Sequence, residues 1–203
     1  MLSRNSEPSG LPATVNSAVK ILVVGPLGVG KTTLVGSVSE ITPLRTEEQM
    51  TTASEGIDTP SSSAKTHTTV AMDFGRITLS DNSIVLYVFG APGQQRFWGL
   101  WKGLAEGAIG VVVLVDTRHL EDSFDVIGEL EVHQLPFIVA VNVFPATRKH
   151  TPEELRAALD LLPETPVVEC NATDRKSSVK ALTALVRHVL GPDPSAPSAQ
   201  ELV

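Results

Sequence analysis

The sequence holds one cysteine, Cys170, so no internal disulfide can form and a reducing cytoplasm suits the chain. It has no long apolar run. Stretches such as Val111–Val115 are far too short to span a bilayer. Met1-Leu2-Ser3-Arg4-Asn5 leads into no apolar segment, which predicts no secretory signal. Residue two is not glycine and the last residue is not cysteine, so the common lipidation signals are missing. Positive charge is also scarce. The formal net charge is −7, which argues against a general nucleic-acid binder. These absences predict a cytoplasmic protein with no membrane insertion.

The apolar share is 42% and the charged share 19%, ordinary for a globular chain, and 203 residues suffice for one domain with a substantial core. Its organising stretch is Gly25-Pro26-Leu27-Gly28-Val29-Gly30-Lys31-Thr32-Thr33, which reads G-x-x-x-x-G-K-T. The apolar run Val19–Val24 precedes it and a helix-competent run, Thr33–Val38, follows. Strand, glycine loop and helix are the context a phosphate-binding loop needs. Glycines let successive N–H groups turn inward to phosphate oxygens, and the helix N-terminus adds partial positive charge. Lys31 would reach the β- and γ-phosphates and the Thr32 hydroxyl would ligate Mg²⁺.

Residues 1–17, rich in Ser, Pro and small side chains, read as a mobile arm, and 192–203 as a short polar tail. The helix from Lys31 should end near Ile41, ahead of Pro43. Leu44–Lys65 shows little periodicity and reads as a long insertion, about 42–67, either functional or a disposable surface loop. Thr68–Leu79 and Ile84–Phe89 predict a hairpin around Ser80–Ser83. Ile109–Val115, Phe137–Val141 and Pro166–Glu169 predict further strands, buried on both faces where apolar throughout. Between them come helices near 120–132, from Thr151 through a stripe of Leu155, Ala158, Leu159 and Leu162, and one lined by Val179, Leu182, Val186, Val189 and Leu190. Thr151-Pro152-Glu153-Glu154 predicts a capped helix start. Gln94–Leu104 is weakly helical. The expected fold is therefore α/β, a P-loop NTPase with three α/β/α layers, a mostly parallel six-stranded sheet and one antiparallel edge strand. Gly25–Lys31, Gly90–Gln94, Asn142–Pro145 and Asn171–Thr173 all follow strand ends, where such sheets bind ligands.

These spaced loops resemble the Ras-like small GTPases, and within them the bacterial MglA-type branch with its actinobacterial conservon members. The resemblance covers roughly residues 18–191, taken as the G domain. It implies GTP/GDP with Mg²⁺ as ligands, and Gly25, Leu27, Gly28, Val29, Gly30, Lys31, Thr32 and Thr33 as the phosphate cradle. Thr68-Thr69-Val70-Ala71-Met72-Asp73-Phe74-Gly75 looks like the first switch and the strand after it. Thr69, or else Thr68, would meet Mg²⁺ and the γ-phosphate. Gly90-Ala91-Pro92-Gly93-Gln94 looks like the second switch, normally D-x-x-G-Q, with Gly90 where an aspartate is expected. Asp73 would supply the missing carboxylate. Gly93 would bond the γ-phosphate, and Gln94, or else Gln95, would orient the attacking water. The family's N-K-x-D appears as Asn142-Val143-Phe144-Pro145, so the guanine-reading aspartate is replaced by proline and Asn142 either serves the base or caps a turn. Cys170-Asn171-Ala172-Thr173 resembles the last base-contacting loop, with the Ala172 backbone on guanine O6.

The resemblance further implies a switch in bacterial signalling with a Roadblock-type partner and a sensor-kinase-like partner. Leu27 stands where Ras has glycine and should crowd an arginine supplied in trans, so slow turnover is expected. Arg45 and Arg96 are candidate internal arginines. Phe97, Trp98 and Trp101 share a helical face, either core or a docking surface. Two alternatives remain open: a nucleotide-holding module without catalysis, and a P-loop ATPase in which Val111–Asp116 is the acidic-ended strand and Asp116 the Mg²⁺ ligand.

Overall fold

The computed structural model describes residues 17–51, 67–79, 84–91, 103–145 and 147–191, with backbone only for 45–51, 67–71 and 79. Seven strands form one sheet in the order β2-β3-β4-β1-β5-β6-β7. In chain order these are β1 (Ser17–Val24), β2 (Leu44–Thr51), β3 (His67–Leu79), β4 (Ile84–Gly90), β5 (Ala108–Val115), β6 (Phe137–Asn142) and β7 (Val167–Cys170). The helices are α1 (Lys31–Val38), α2 (Phe124–Val132), α3 (Pro152–Ala158) and α4 (Arg175–Leu190), with a 3-10 turn at Leu120–Ser123 before α2. β4, β1, β5, β6 and β7 run parallel, and β3 runs antiparallel to both β2 and β4.

The alternation of apolar side chains along β1 explains the three layers. Ile21 and Val23 pack with Leu34, Val35 and Val38 of α1 and with Leu182 and Leu185 of α4. Leu22 and Val24 face the other way, into a cluster with Val126, Ile127 and Leu130 of α2 and Leu155 of α3. Most of these side chains are fully buried, each contributing roughly 1.5–3 kcal/mol relative to exposure. Among the described residues no helix is long and apolar enough to cross a membrane.

The fold class is as expected, but the sheet has seven strands rather than six. Leu44–Thr51 is not loop: it pairs antiparallel with β3 from Leu44 opposite Phe74 to Thr51 opposite His67. It is an edge strand, bonded on one side only, and Leu-Arg-Thr-Glu-Glu-Gln-Met-Thr carries no alternation that would announce it. The antiparallel strand, β3, consequently lies one place in from the edge. Two helices end early. α1 stops at Val38, where Ser39 turns extended. α3 stops at Ala158, and Asp160 adopts φ 52, so Leu162 leaves the stripe and is 55% exposed. The start of α3 is as expected. Glu154 N–H donates to Thr151 Oγ1 at 3.2 Å and Thr151 N–H to Glu154 Oε2 at 2.9 Å, a reciprocal capping box. Ser80–Ser83 and residues 94–102 lie outside the described residues.

Candidate functional site

The chain leaves β1 at Gly25 with φ 144, and a Cβ there would lie 2.2 Å from the Leu114 carbonyl oxygen. Only glycine can make that turn against β5. The loop then closes on itself. Lys31 Nζ donates to the carbonyls of Gly25 at 2.8 Å and Pro26 at 2.7 Å. Burial pulls the Lys31 ammonium down to a pKa of about 8, with Asp73 opposing the shift. α1 begins from a left-handed Gly30, without a side-chain cap and without acid in its first turn. Its first N–H groups are therefore left for an anion. Val29 is buried beneath the loop, whereas Leu27 projects from it, 86% exposed. Gly28, Thr32 and Thr33 line its open side.

Beside the loop, Thr32 Oγ1 donates to Asp73 Oδ2 at 2.5 Å, across 41 positions of sequence. Asp73 lies opposite Gly90 in the β3–β4 register and is nearly buried. A Cβ on Gly90 would sit 3.2 Å from Asp73 Cβ and 3.3 Å from Asp73 Oδ2. The bare glycine on β4 gives room to the Asp73 side chain from β3.

At the base end, Asn142 is buried at the tip of β6 and both ends of its amide are engaged. Nδ2 donates to Val29 O at 2.8 Å, and Oδ1 accepts from Ala172 N–H at 3.0 Å. Asn142 thus braces the phosphate loop against the last loop rather than capping its own turn. Gly30 must be glycine for this brace, because a Cβ there would lie 2.7 Å from Asn142 Nδ2. Asn171 organises its own loop through Thr173 N–H and Oγ1, at 3.1 and 2.7 Å. Cys170 is fully buried in the core, and burial pushes its thiol up to about 11. It can serve a ligand only through its backbone.

Asp116 takes a different part. Its carboxylate accepts from Arg118 N–H at 2.9 Å, from Nε at 2.9 and 3.0 Å, and from Nη2 at 2.6 Å. Those bonds hold the acid below its usual range. The Arg118 guanidinium also lies 4.0 Å over the Phe144 ring. The sequence offered no role for Arg118 or Phe144; the signal was the acid and arginine two positions apart just past a buried strand. Thr32 is bonded to Asp73 and Asp116 to Arg118, so the structure brings Lys31, Thr32 and Asp73 together and leaves Asp116 apart. Thr69 sits in β3 opposite Gln49, and Arg45 in β2 opposite Asp73. Gly93, Gln94, Gln95, Arg96, Phe97, Trp98 and Trp101 lie outside the described residues.

Residues 23–192 match the model of a family described as "Conserved hypothetical ATP binding protein". Among solved structures, the chain is similar to the G domain of the T. maritima FeoB iron transporter, with a TM-score of 0.54 and 20% identity over 85% of this chain and 97% of that one. At that identity the likeness speaks for the fold alone. No curated protein matches. The family match runs from the end of β1 through the phosphate loop to the end of α4, and the chain belongs to this family of nucleotide-binding P-loop proteins.

Proposed function

We propose that the chain is a small GTPase of the Ras-like type, a nucleotide-dependent switch that binds GTP or GDP with Mg²⁺ and hydrolyses GTP slowly. The observation that carries this reading is the Thr32–Asp73 hydrogen bond beside an uncapped helix start. Thr32 and Asp73 are adjacent hard oxygen donors, the type Mg²⁺ takes, and Gly90 leaves the carboxylate its space. By the resemblance Thr69 would join them, and phosphate oxygens and water would complete the shell. Held by Thr32 and Asp73, Mg²⁺ would supply positive charge against the phosphates. Lys31 exchanges the Gly25 and Pro26 carbonyls for phosphate oxygens, and the first N–H groups of α1 receive the phosphate chain. Thr69 and Gly93 would order on the γ-phosphate and release after hydrolysis, with Gln94 orienting the water. Those three roles, the placement in the MglA-type branch, and the Roadblock-type and sensor-kinase-like partners rest on the resemblance. Leu27 is exposed on the cradle, which supports slow turnover, since by the resemblance it stands where an external arginine would approach.

The buried Lys31 gives this reading a pH signature. Its folded pKa of about 8 lies below its ordinary 10.5, so the ligand-free chain holds fewer protons than the unfolded one between those values. Phosphate binding restores the charged form. At pH 8 nucleotide binding should take up about half a proton, and affinity should fall as pH rises beyond that. Calorimetry in two buffers of different ionisation enthalpy measures the uptake directly; zero uptake at pH 8 would contradict the assignment of Lys31 to the phosphates.

A second reading, an adenine nucleotide at the same cradle, is favoured by one specific arrangement. Pro145 offers no side-chain acceptor for guanine N1 and N2, and the Ala172 N–H already donates to Asn142. Titration of nucleotide-free protein with GTP, GDP and ATP, with and without Mg²⁺, decides between them. The GTPase reading expects guanine nucleotides to bind at least tenfold tighter than ATP, a difference of about 1.4 kcal/mol. Equal or tighter ATP binding would replace it with an ATP-dependent regulator.

A further inference from the structure

The parallel sheet gives the molecule two unlike poles. Helix N-termini, α1 among them, face the phosphate pole. The opposite pole gathers the C-terminal ends of α2 and α3 with the starts of β6 and β7. A groove of about 500 Å³ opens there. Its floor is apolar, with Leu130, Leu135 and Phe137, and the exposed Leu162 stands at its edge. Its rim is acidic: Glu131, Asp160 and Glu164 are all exposed, against His188 on the rim and Arg156 beside it, whose Nε donates to Thr165 O at 3.3 Å.

Three features do not follow from the needs of folding. Glu131 sits in the last turn of α2, where the helix dipole disfavours a carboxylate and no basic residue accompanies it. Gln134 and Asp160 are the only non-glycine residues with positive φ among the described residues, both at 52°, and both border this groove. Each follows a helix C-cap and closes the same motif, with Leu135 N–H reaching back to Leu130 O at 3.0 Å and Leu161 N–H to Arg156 O at 3.0 Å. Glycine is the usual residue at such a position, and a side chain there costs about 1 kcal/mol. Two helices thus end around one apolar floor, presenting side chains there while their last carbonyls are bonded within the closing turns. Their partial negative charge adds to that of the three carboxylates.

We propose that this groove docks an extended segment of a protein partner that carries Lys or Arg on both sides of a bulky apolar side chain. The charge of the rim selects this occupant over the two nearest alternatives. The chain's own residues 192–203 include Asp193 and Glu201 and no Lys or Arg, so they would meet the rim with like charge. A second copy carries the same net charge of −7. The site is remote from the phosphate loop, and its occupancy does not depend on which base the chain binds.

The test uses the full chain and a fluorescein-labelled hexapeptide, Lys-Arg-Phe-Leu-Lys-Arg, followed by anisotropy at low salt. Three variants accompany the wild type: Glu131→Lys/Glu164→Lys, Leu162→Asp, and a control, Glu106→Lys/Glu121→Lys, which changes net charge equally at exposed positions off the groove. The first two should each lose at least tenfold in affinity, and the control should stay within about twofold. All substituted side chains are exposed, and unchanged melting temperatures check the fold. Equal loss in the control and the groove pair would reduce the effect to bulk charge and overturn the proposal. So would no binding by the wild type. Removal of residues 192–203 should leave affinity unchanged; a tenfold gain would make the tail the occupant instead. A dimer in sedimentation that the groove pair dissociates would assign the groove to a second copy.

Discussion

Lys31→Ala should abolish tight nucleotide binding while leaving the fold in place. Lys31 now donates two hydrogen bonds to the carbonyls of Gly25 and Pro26, within the curl that would surround the phosphates. A charge-assisted hydrogen bond contributes about 1.5–3 kcal/mol, so losing two to phosphate oxygens costs at least a hundredfold in affinity. The ligand-free protein should react differently. Burial disfavours the ammonium there, so its removal relieves a desolvation cost even as it leaves two carbonyls without that donor. The melting temperature without nucleotide should therefore change little, and the rise on adding nucleotide should disappear. An unchanged rise in the variant would mean that the phosphates lie elsewhere.

The second large effect concerns the displaced carboxylate. Asp73→Ala should remove most of the gain in nucleotide affinity that Mg²⁺ provides, on the order of a hundredfold, because Asp73 is the carboxylate that meets the Thr32 hydroxyl among the described residues. Asp116→Ala should leave that gain within about threefold, since Asp116 is engaged with Arg118. Gly90→Asp alone should also weaken the Mg²⁺ effect, by adding a second acidic side chain whose Cβ would lie 3.2–3.3 Å from Asp73. The exchange Asp73→Gly/Gly90→Asp is the sharper experiment. It returns the acid to β4 and clears β3, and should recover most of the Mg²⁺ dependence. Failure of the exchange, together with a stronger loss in Asp116→Ala, would move the metal to Asp116.

The sequence was most legible where chemistry is local. G-x-x-x-x-G-K-T between a strand and a helix announces its loop within nine residues, and the Thr151–Glu154 capping box within four. Buried parallel strands such as Val111–Val115 are readable because both faces demand apolar side chains. β2 was not readable, because Leu44–Thr51 carries no alternation of apolar and polar residues and is revealed only by its pairing with β3. Long-range placement was legible only in part. The residue types at 73 and 142 suggested an acid and an amide at the site. That Asp73 meets Thr32, and that Asn142 joins Val29 to Ala172, depends on strand order and register, which periodicity does not encode. Asp116 shows the same: an acid ending a buried strand fits a metal site by pattern, and the arginine two residues on that bonds it is a local contact the pattern does not weigh.

Asn142 has a consequence for how this chain can change over evolutionary time. Its amide ties the floor of the phosphate cradle to the final loop without help from residue 145. Pro145 is exposed, and no hydrogen bond of the brace passes through it. The architecture that grips phosphates is thereby separated from the position that, in the resembling GTPases, distinguishes one purine from another. Drift at 145 leaves the cradle standing, whereas drift at 142 would loosen both ends of the site together. A change of residue at 145 therefore leaves the Val29–Asn142–Ala172 connection intact.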